Sequence, residues 1–273
     1  SINVNMPNSG NVLKSGTRIA LDQENMSLDN EGVNINLGWQ TGDQLHFCFV
    51  DGTNNEIKAR QEATAKSVSE DGKNAVFEIS IPGNITSSTF NLYGIYGGGG
   101  IDPGNPSRVI LPSPGETTAN SLNSLQQNGV VMLKSEQTGI SKTTPVITLN
   151  LEHVGSVFSI RLNNNTGDPL AGVKTARLTA GSSIGARASS ENSSFDLVTG
   201  VFTGTTTGNT LAFNLPEAVN IPAGEHAEFW GWFPVADNDW PGMNLELLNA
   251  EGTVMHGTTV PTTERTAESG RAY

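Results

Sequence analysis

The chain lacks most of what usually announces a function. It has one cysteine, Cys48, so an intrachain disulfide is excluded. Charged residues make up only 15% of it and aromatic residues 6%, too little charge for a disordered chain and few large rings to line a deep pocket. No run of 18 apolar residues is present to span a bilayer as a helix. Blocks of Ala, Leu, Glu and Lys, which would favour long helices, are missing as well. The 15 basic residues are scattered singly against 27 acidic ones, giving a net charge of −12. A phosphate-binding face needs clustered Lys and Arg, so nucleic acid is excluded as a partner.

Uncharged polar residues fill the space, with 31 Gly and 13 Pro among runs of Ser, Thr and Asn. Gly and Asn supply positive φ and Pro starts turns, so such a chain favours short strands and many turns. Period-two alternation bears this out. Val33, Ile35 and Leu37 alternate with polar residues, and Leu45, Phe47 and Phe49 resume after a Gly-Trp-Gln-Thr-Gly-Asp turn. Phe77 to Ile81 and Phe90 to Tyr96 follow, and the proline-rich stretch from Gly97 to Pro114 reads as a loop. A second set begins after Pro145: Ile147, Leu149 and Leu151, then Phe158, Ile160 and Leu162, then further strands to His256. Residues 119–127, with Leu122 and Leu125 on one face, read as the only short helix. Two successive strand-rich halves without βα alternation predict an all-β chain of two tandem β-sandwich domains. The polar stretch 137–144 places the boundary at residues 1–140 and 141–273. One core is expected around Leu45, Phe47 and Phe77, the other around Leu149, Phe158 and Ile160.

Catalytic and cofactor motifs are absent: there is no G-x-S-x-G elbow, P-loop or H-E-x-x-H. The run Gly97 to Gly100 leads into prolines instead of a helix, so it is no dinucleotide fingerprint. The four histidines, His46, His153, His226 and His256, stand apart, and no metal or cofactor is expected. Asp237-Asn238-Asp239-Trp240-Pro241-Gly242 has the start of a calcium loop, but Pro241 and Leu248 stand where ligands belong, which favours a plain turn. Cys48 sits in an apolar run, where a thiol packs as a small hydrophobe. The aromatic cluster Phe229-Trp230-Gly231-Trp232-Phe233, with Trp240 nearby, has two readings: core packing, or a stacking platform for sugar rings built from Trp230, Trp232 and Trp240.

Four stretches in order resemble the fimbrillin family, the subunits of protease-assembled pili of anaerobic Gram-negative bacteria. Trp39-Gln40-Thr41-Gly42-Asp43-Gln44-Leu45 is similar to a W-x-x-G-D-x-(apolar) turn and strand. Phe90-Asn91-Leu92-Tyr93-Gly94-Ile95-Tyr96 resembles an apolar strand ending in a corner, with Gly97 in place of the family's proline. Leu149-Asn150-Leu151-Glu152-His153-Val154-Gly155-Ser156-Val157-Phe158 resembles an L-x-H strand, and Glu268-Ser269-Gly270-Arg271-Ala272-Tyr273 the start of a closing strand.

The resemblance implies transthyretin-like sandwiches and export as an outer-membrane lipoprotein precursor to a fimbrium on the cell surface. It also implies trimming by an arginine- or lysine-specific protease, after which a neighbouring subunit's strand fills the vacated groove. The partners would be other pilin subunits, together with host or bacterial glycans or proteins. The missing lipobox cysteine then corresponds to a mature form. Within this frame residues 16–21 are the candidate detachable strand, the N-terminal segment up to about Leu21 is expected at a sheet edge, and Arg18 is the candidate cut site; the plainer alternative is that Arg18 is a solvated strand residue. A non-enzymatic pilin is the leading expectation, an outer-surface carbohydrate-binding module using the three tryptophans the alternative. A glycosidase or esterase has no motif behind it.

Overall fold

In the computed structural model the described residues are 1–6, 20–21, 27–29, 32–34, 37–113, 116–127, 130–181, 185–188, 192–234, 239–240, 243–260 and 265–266. They are almost all strand. In chain order the first elements are β1 (Ile2–Asn5), β2 (Gln44–Asp51), β3 (Ile57–Thr64), β4 (Ser67–Val68) and β5 (Asn74–Phe77). Next come β6 (Thr89–Tyr96), β7 (Arg108–Ile110), β8 (Thr118–Ala119) and the helix α1 (Leu122–Gln127). β9 (Met132–Ser141), β10 (Ile147–Asn150), β11 (Glu152–Val154), β12 (Ser156–Asn163) and β13 (Leu170–Ala180) follow. The last are β14 (Ser194–Asp196), β15 (Phe202–Thr203), β16 (Thr210–Ile221), β17 (His226–Phe233), β18 (Met243–Leu248) and β19 (Val254–Val260). Four short two-stranded ladders complete the set, among them Ala20–Leu21 with Leu37–Gly38 and Asp239–Trp240 with Arg265–Thr266.

The chain divides into two compact units. The first gathers Ser1–Leu111, Val131–Val154 and Asn192–Thr203. Its five-stranded sheet runs β11-β9-β6-β2-β3, and a four-stranded sheet runs β10-β1-β5-β4. One apolar core lies between them, holding Ile2, Val4, Leu45, Phe47, Phe49, Phe77, Phe90, Leu92, Ile147 and Leu149. Phe47 of one sheet meets Phe77 of the other edge-on at 6.3 Å, and Trp39 meets Phe77 edge-on at 5.2 Å. β2 lies inside its sheet, between β6 and β3, where Leu45-His46-Phe47-Cys48-Phe49-Val50 offers apolar groups on both faces, and Cys48 is buried among them as expected, its thiol pushed up to about 12 by loss of solvent.

The second unit gathers Pro112–Val130, Gly155–Glu191 and Gly204–Tyr273. Its sheets run β8-β17-β12 and β16-β13-β18-β19. Phe158, Val173, Leu178, Phe213, Phe229, Phe233, Leu245 and Leu247 form its core, with Phe213 and Phe233 in edge contact at 5.3 Å. The helix is shorter than the sequence suggests, because Ala119 pairs with Trp230 as strand β8. Leu122 and Leu125 are both fully buried, as their shared face predicts, and Ser121 Oγ caps the helix by accepting the Ser124 N–H at 3.1 Å.

Two expectations differ from this arrangement. The division does not fall at residue 140: β10 and β11 pair with strands of the first unit, and residues 112–130 belong with the second. Leu149 therefore packs in the first core, not beside Phe158, since the parallel ladder between β1 and β10 carries it there. Nor is the stretch from Gly97 to Pro114 all loop. Val109 is fully buried and β7 pairs with β14, which draws residues 192–203 into the first unit.

Gly231 in β17 shows how tightly the second core is filled. A Cβ there would stand 2.5 Å from the Phe233 ring and 2.9 Å from the Phe213 ring. Gly231→Ala must push both rings aside, an overpacking cost of about 1–3 kcal/mol. The expected outcome is a lower urea midpoint with an unchanged m-value; wild-type stability in this variant would mean the core is looser than these distances state.

Candidate functional site

The most distinctive piece of the chain is its first strand. β1 lies inside a sheet, antiparallel to β5 on one side and parallel to β10 on the other. Ile2 pairs with Phe77 and Ile147, and Val4 with Ala75 and Leu149. The Ile147 N–H donates to the Ser1 carbonyl at 3.1 Å, the Leu151 N–H to Asn5 at 3.0 Å, and the Met6 N–H to Lys73 at 2.8 Å. Period-two alternation then sorts the side chains: Ile2, Val4 and Met6 enter the core, while Asn3 and Asn5 stay half-buried. Burying each of the three apolar side chains is worth about 1.5–3 kcal/mol, so together they rival the net stability of a domain. No hairpin ties β1 to either neighbour, since β5 and β10 both lie far along the chain.

Trp39 locks this strand from the side. Its indole Nε1–H donates to the Val4 carbonyl at 3.1 Å, and its ring meets Phe77 and Tyr96 edge-on at 5.2 and 5.8 Å. The turn that follows fixes Trp39 in turn. Gly42 adopts φ +96, the Asp43 N–H donates to the Gln40 carbonyl at 3.1 Å, and the Gln40 N–H donates back to Asp43 Oδ2 at 2.8 Å. The Asp43 carbonyl accepts the Ala65 N–H at 2.8 Å, which ties the turn to the end of β3. The W-x-x-G-D pattern is thus a device for presenting one indole to β1: Gly for the left-handed backbone, Asp to close the turn through its side chain.

Asp43 is buried to 3% exposure, and loss of solvent raises its carboxyl from 3.8 to about 6, the Gln40 N–H opposing the shift. Of the other titratable groups, His153 is pushed down to about 4 by burial, and His46 is lowered by burial although Glu62 lies 3.4 Å away. Among the described residues no three His, Cys, Asp or Glu side chains gather to hold a metal ion.

The residues singled out in the sequence fall as follows. Arg18 and residues 16–19 lie outside the described residues, as do Asp237 and Asn238. Ala20–Leu21 forms only a two-residue ladder with Leu37–Gly38. The leading strand held in a main sheet is β1 instead, and it sits in the sheet's interior, not at its edge. Trp230 and Trp232 are each only 1% exposed, which corrects the sugar-platform reading for these two. A stacking ring must offer a face to solvent, and theirs are covered. Trp230 Nε1–H donates to Glu228 Oε2 at 3.0 Å, and Trp232 lies over Gly155, where a Cβ would come within 2.7 Å of the indole. Strand β8 pairs with β17 along its edge and helix α1 lies against β17, neighbours that alternation alone does not reveal. Trp240 is in the ladder with Arg265 and its side chain is outside the described set. Sequence reading missed β1 itself; the signal was Ile2, Val4 and Met6 at alternate positions.

No known family profile and no curated protein matches the chain. Solved structures do resemble it. A candidate cell adhesion protein from Bacteroides uniformis is 17% identical, with 80% of this chain covering 78% of that one at a TM-score of 0.46. Another from Bacteroides fragilis is 11% identical, covering 100% and 90% at 0.45. The fimbrial anchor protein Mfa2 from Porphyromonas gingivalis is 10% identical, covering 94% and 80% at 0.43.

The buried carboxylate gives a pH prediction. Asp43 holds its proton more tightly folded than unfolded, so the folded state binds more protons between about pH 4 and 6 and stability falls as pH rises through that window. Asp43→Asn should flatten this part of the profile of urea midpoint against pH. An equal slope in both proteins would place the titrating group elsewhere. The solved structures that resemble this chain bear the names of candidate adhesins and cell adhesion proteins of Bacteroides, together with a fimbrial anchor of Porphyromonas gingivalis.

Proposed function

We propose that this protein is a non-enzymatic structural or adhesive subunit of a bacterial surface fimbria that polymerises by strand exchange. The observation that carries the reading is β1: a short strand in the interior of a sheet, paired on both sides, with no hairpin to either neighbour. Taking it out would open a slot between β5 and β10 walled by Phe77, Ile147, Leu149 and Trp39. Such a slot offers unpaired N–H and C=O groups on two sides and pockets for alternate side chains, so an incoming strand gains both hydrogen bonds and apolar burial. An empty slot is an aggregation hazard, and keeping β1 in place until assembly removes it.

Arg18 follows β1 in sequence, so a cut there severs β1 from everything after it and leaves it held by the sheet alone. In this reading the subunit is exported as an outer-membrane lipoprotein precursor, trimmed by an arginine-specific protease, and then joined to other pilin subunits at the cell surface. Glycans or proteins of host or bacterial surfaces are the outward partners. The absence of nucleophile-elbow, P-loop and zinc-protease motifs supports a role without catalysis.

The test is to cut the protein with an arginine-specific protease and to add a labelled peptide of residues 1–6, or full-length partner subunits. Slow, stable uptake of the peptide into the trimmed body, and ladders of oligomers with full-length subunits, are expected. A trimmed body that stays folded but takes up neither strand would sink strand exchange through this terminus. Replacing Val4 by Asp in the peptide should abolish uptake, because that side chain is fully buried in the slot.

A further inference from the structure

On the far side of β10 from β1, the first unit has a cleft of about 460 Å³, within the range of small-ligand sites. Its walls are Lys134, Ser135, Glu136 and Gln137 from β9, Thr148 and Asn150 from β10, and Glu152 from β11. Every one is a hydrogen-bonding residue, and no aliphatic or aromatic side chain contributes. The cleft runs between two strand edges. β10 is the last strand of its sheet, and β11 pairs with β9 only as far as Lys134, leaving Ser135 to Gln137 uncovered on that side. Because Ile147 and Leu151 turn their N–H groups to β1, the alternation of a parallel ladder turns the main-chain groups of Thr148 and Asn150 toward the cleft.

Two details make this more than a polar groove. Ser135 is 4% exposed, and its Oγ is buried without a hydrogen-bond partner, packed toward Gly94, where a Cβ would come within 2.8 Å of it. An unmade bond of this kind is costly, and a ligand hydroxyl at the wall would supply it after one rotation about the Ser135 Cα–Cβ bond. Asn150 is pre-set as well: Asn5 Nδ2 donates to Asn150 Oδ1 at 2.9 Å, which fixes the amide and leaves its NH₂ group to donate elsewhere.

We infer that this cleft binds a neutral saccharide, and that Asn5 of β1 positions Asn150 for it. Sugar hydroxyls donate and accept at once, matching a lining that alternates hydroxyl, amide and carboxylate groups. An apolar ligand has nothing to pack against. A phosphate or other strong anion meets two carboxylates, Glu136 and Glu152, against one lysine. An added peptide strand would gain main-chain bonds but no pocket for its alternate side chains, the half of the gain that makes strand addition stable. The link through Asn5 makes binding sensitive to whichever strand fills the slot of β1.

The experiment is amide-resolved NMR titration of the full chain with a panel of neutral hexoses, N-acetylhexosamines and their disaccharides. At least one sugar should shift the resonances of residues 134–137 and 148–152 in a saturable way. Asn150→Ala and Gln137→Ala should each weaken that binding about fivefold, the loss of one neutral hydrogen bond, with an unchanged melting temperature. Asn5→Ala should weaken it too although Asn5 does not line the cleft. Shifts that map elsewhere, no saturable shift with any sugar at tens of millimolar, unchanged affinity in Asn150→Ala, or capture of an extended peptide in place of sugars would each overturn the inference. None of these outcomes bears on strand exchange, which the protease experiment reads separately.

Discussion

Two rows of main-chain hydrogen bonds, one on each side of Ile2–Asn5, hold the four-stranded sheet of the first unit together. Without β1, the strands β5 and β10 have no common partner, and the core loses the side chains that fill the space between Phe77 and Leu149. Several otherwise separate features serve this one placement. Trp39 donates its ring N–H to the strand's backbone, the glycine turn after it holds the indole in position, and the chain between β9 and β10 turns back so that β10 can run parallel to β1. A parallel pair cannot be made by a tight hairpin, so the two strands come from opposite ends of the unit's sequence.

That placement also sets how the chain can work. An interior strand has a high barrier to leaving, because both ladders and three buried side chains must be given up together. The same cost becomes the gain of whichever strand replaces it. In the strand-exchange reading proposed above, such a subunit would stay monomeric while its own strand is in place and take up a suitable strand once that strand is gone. On that reading, slow exchange and a product resistant to dissociation would follow because hydrogen bonding and apolar burial coincide along the same four residues. On its polar face, β1 is joined to β10 by the hydrogen bond from Asn5 to Asn150.

The second unit has a different emphasis. Its aromatic strand β17 is buried on both faces: Phe229 and Phe233 point into the core, and Trp230 and Trp232 lie on the other side, with α1 against the strand. Gly155 and Gly231 are the clearances that let the rings sit there, one under the Trp232 indole and one between two phenylalanines. The four rings of β17 are structural for that reason.

The all-β class, the short helix around Leu122 and Leu125, the burial of Cys48 and the first core of Leu45, Phe47 and Phe77 were legible in the residues, because each depends on local alternation or turn chemistry. Period two tells which side chains share a face, and glycine and proline tell where a strand must stop. Neither tells which strand lies beside which. Tertiary pairing alone decided that β1 is interior, that Leu149 packs with Phe77's core, and that residues 112–130 cover Trp230. It likewise decided that the motif around Trp39 serves the strand at Ile2–Asn5, more than thirty residues before it. The physical reason is that backbone hydrogen bonds carry no side-chain identity: a strand's sequence sets its two faces, while its two edges take partners only from the packed whole.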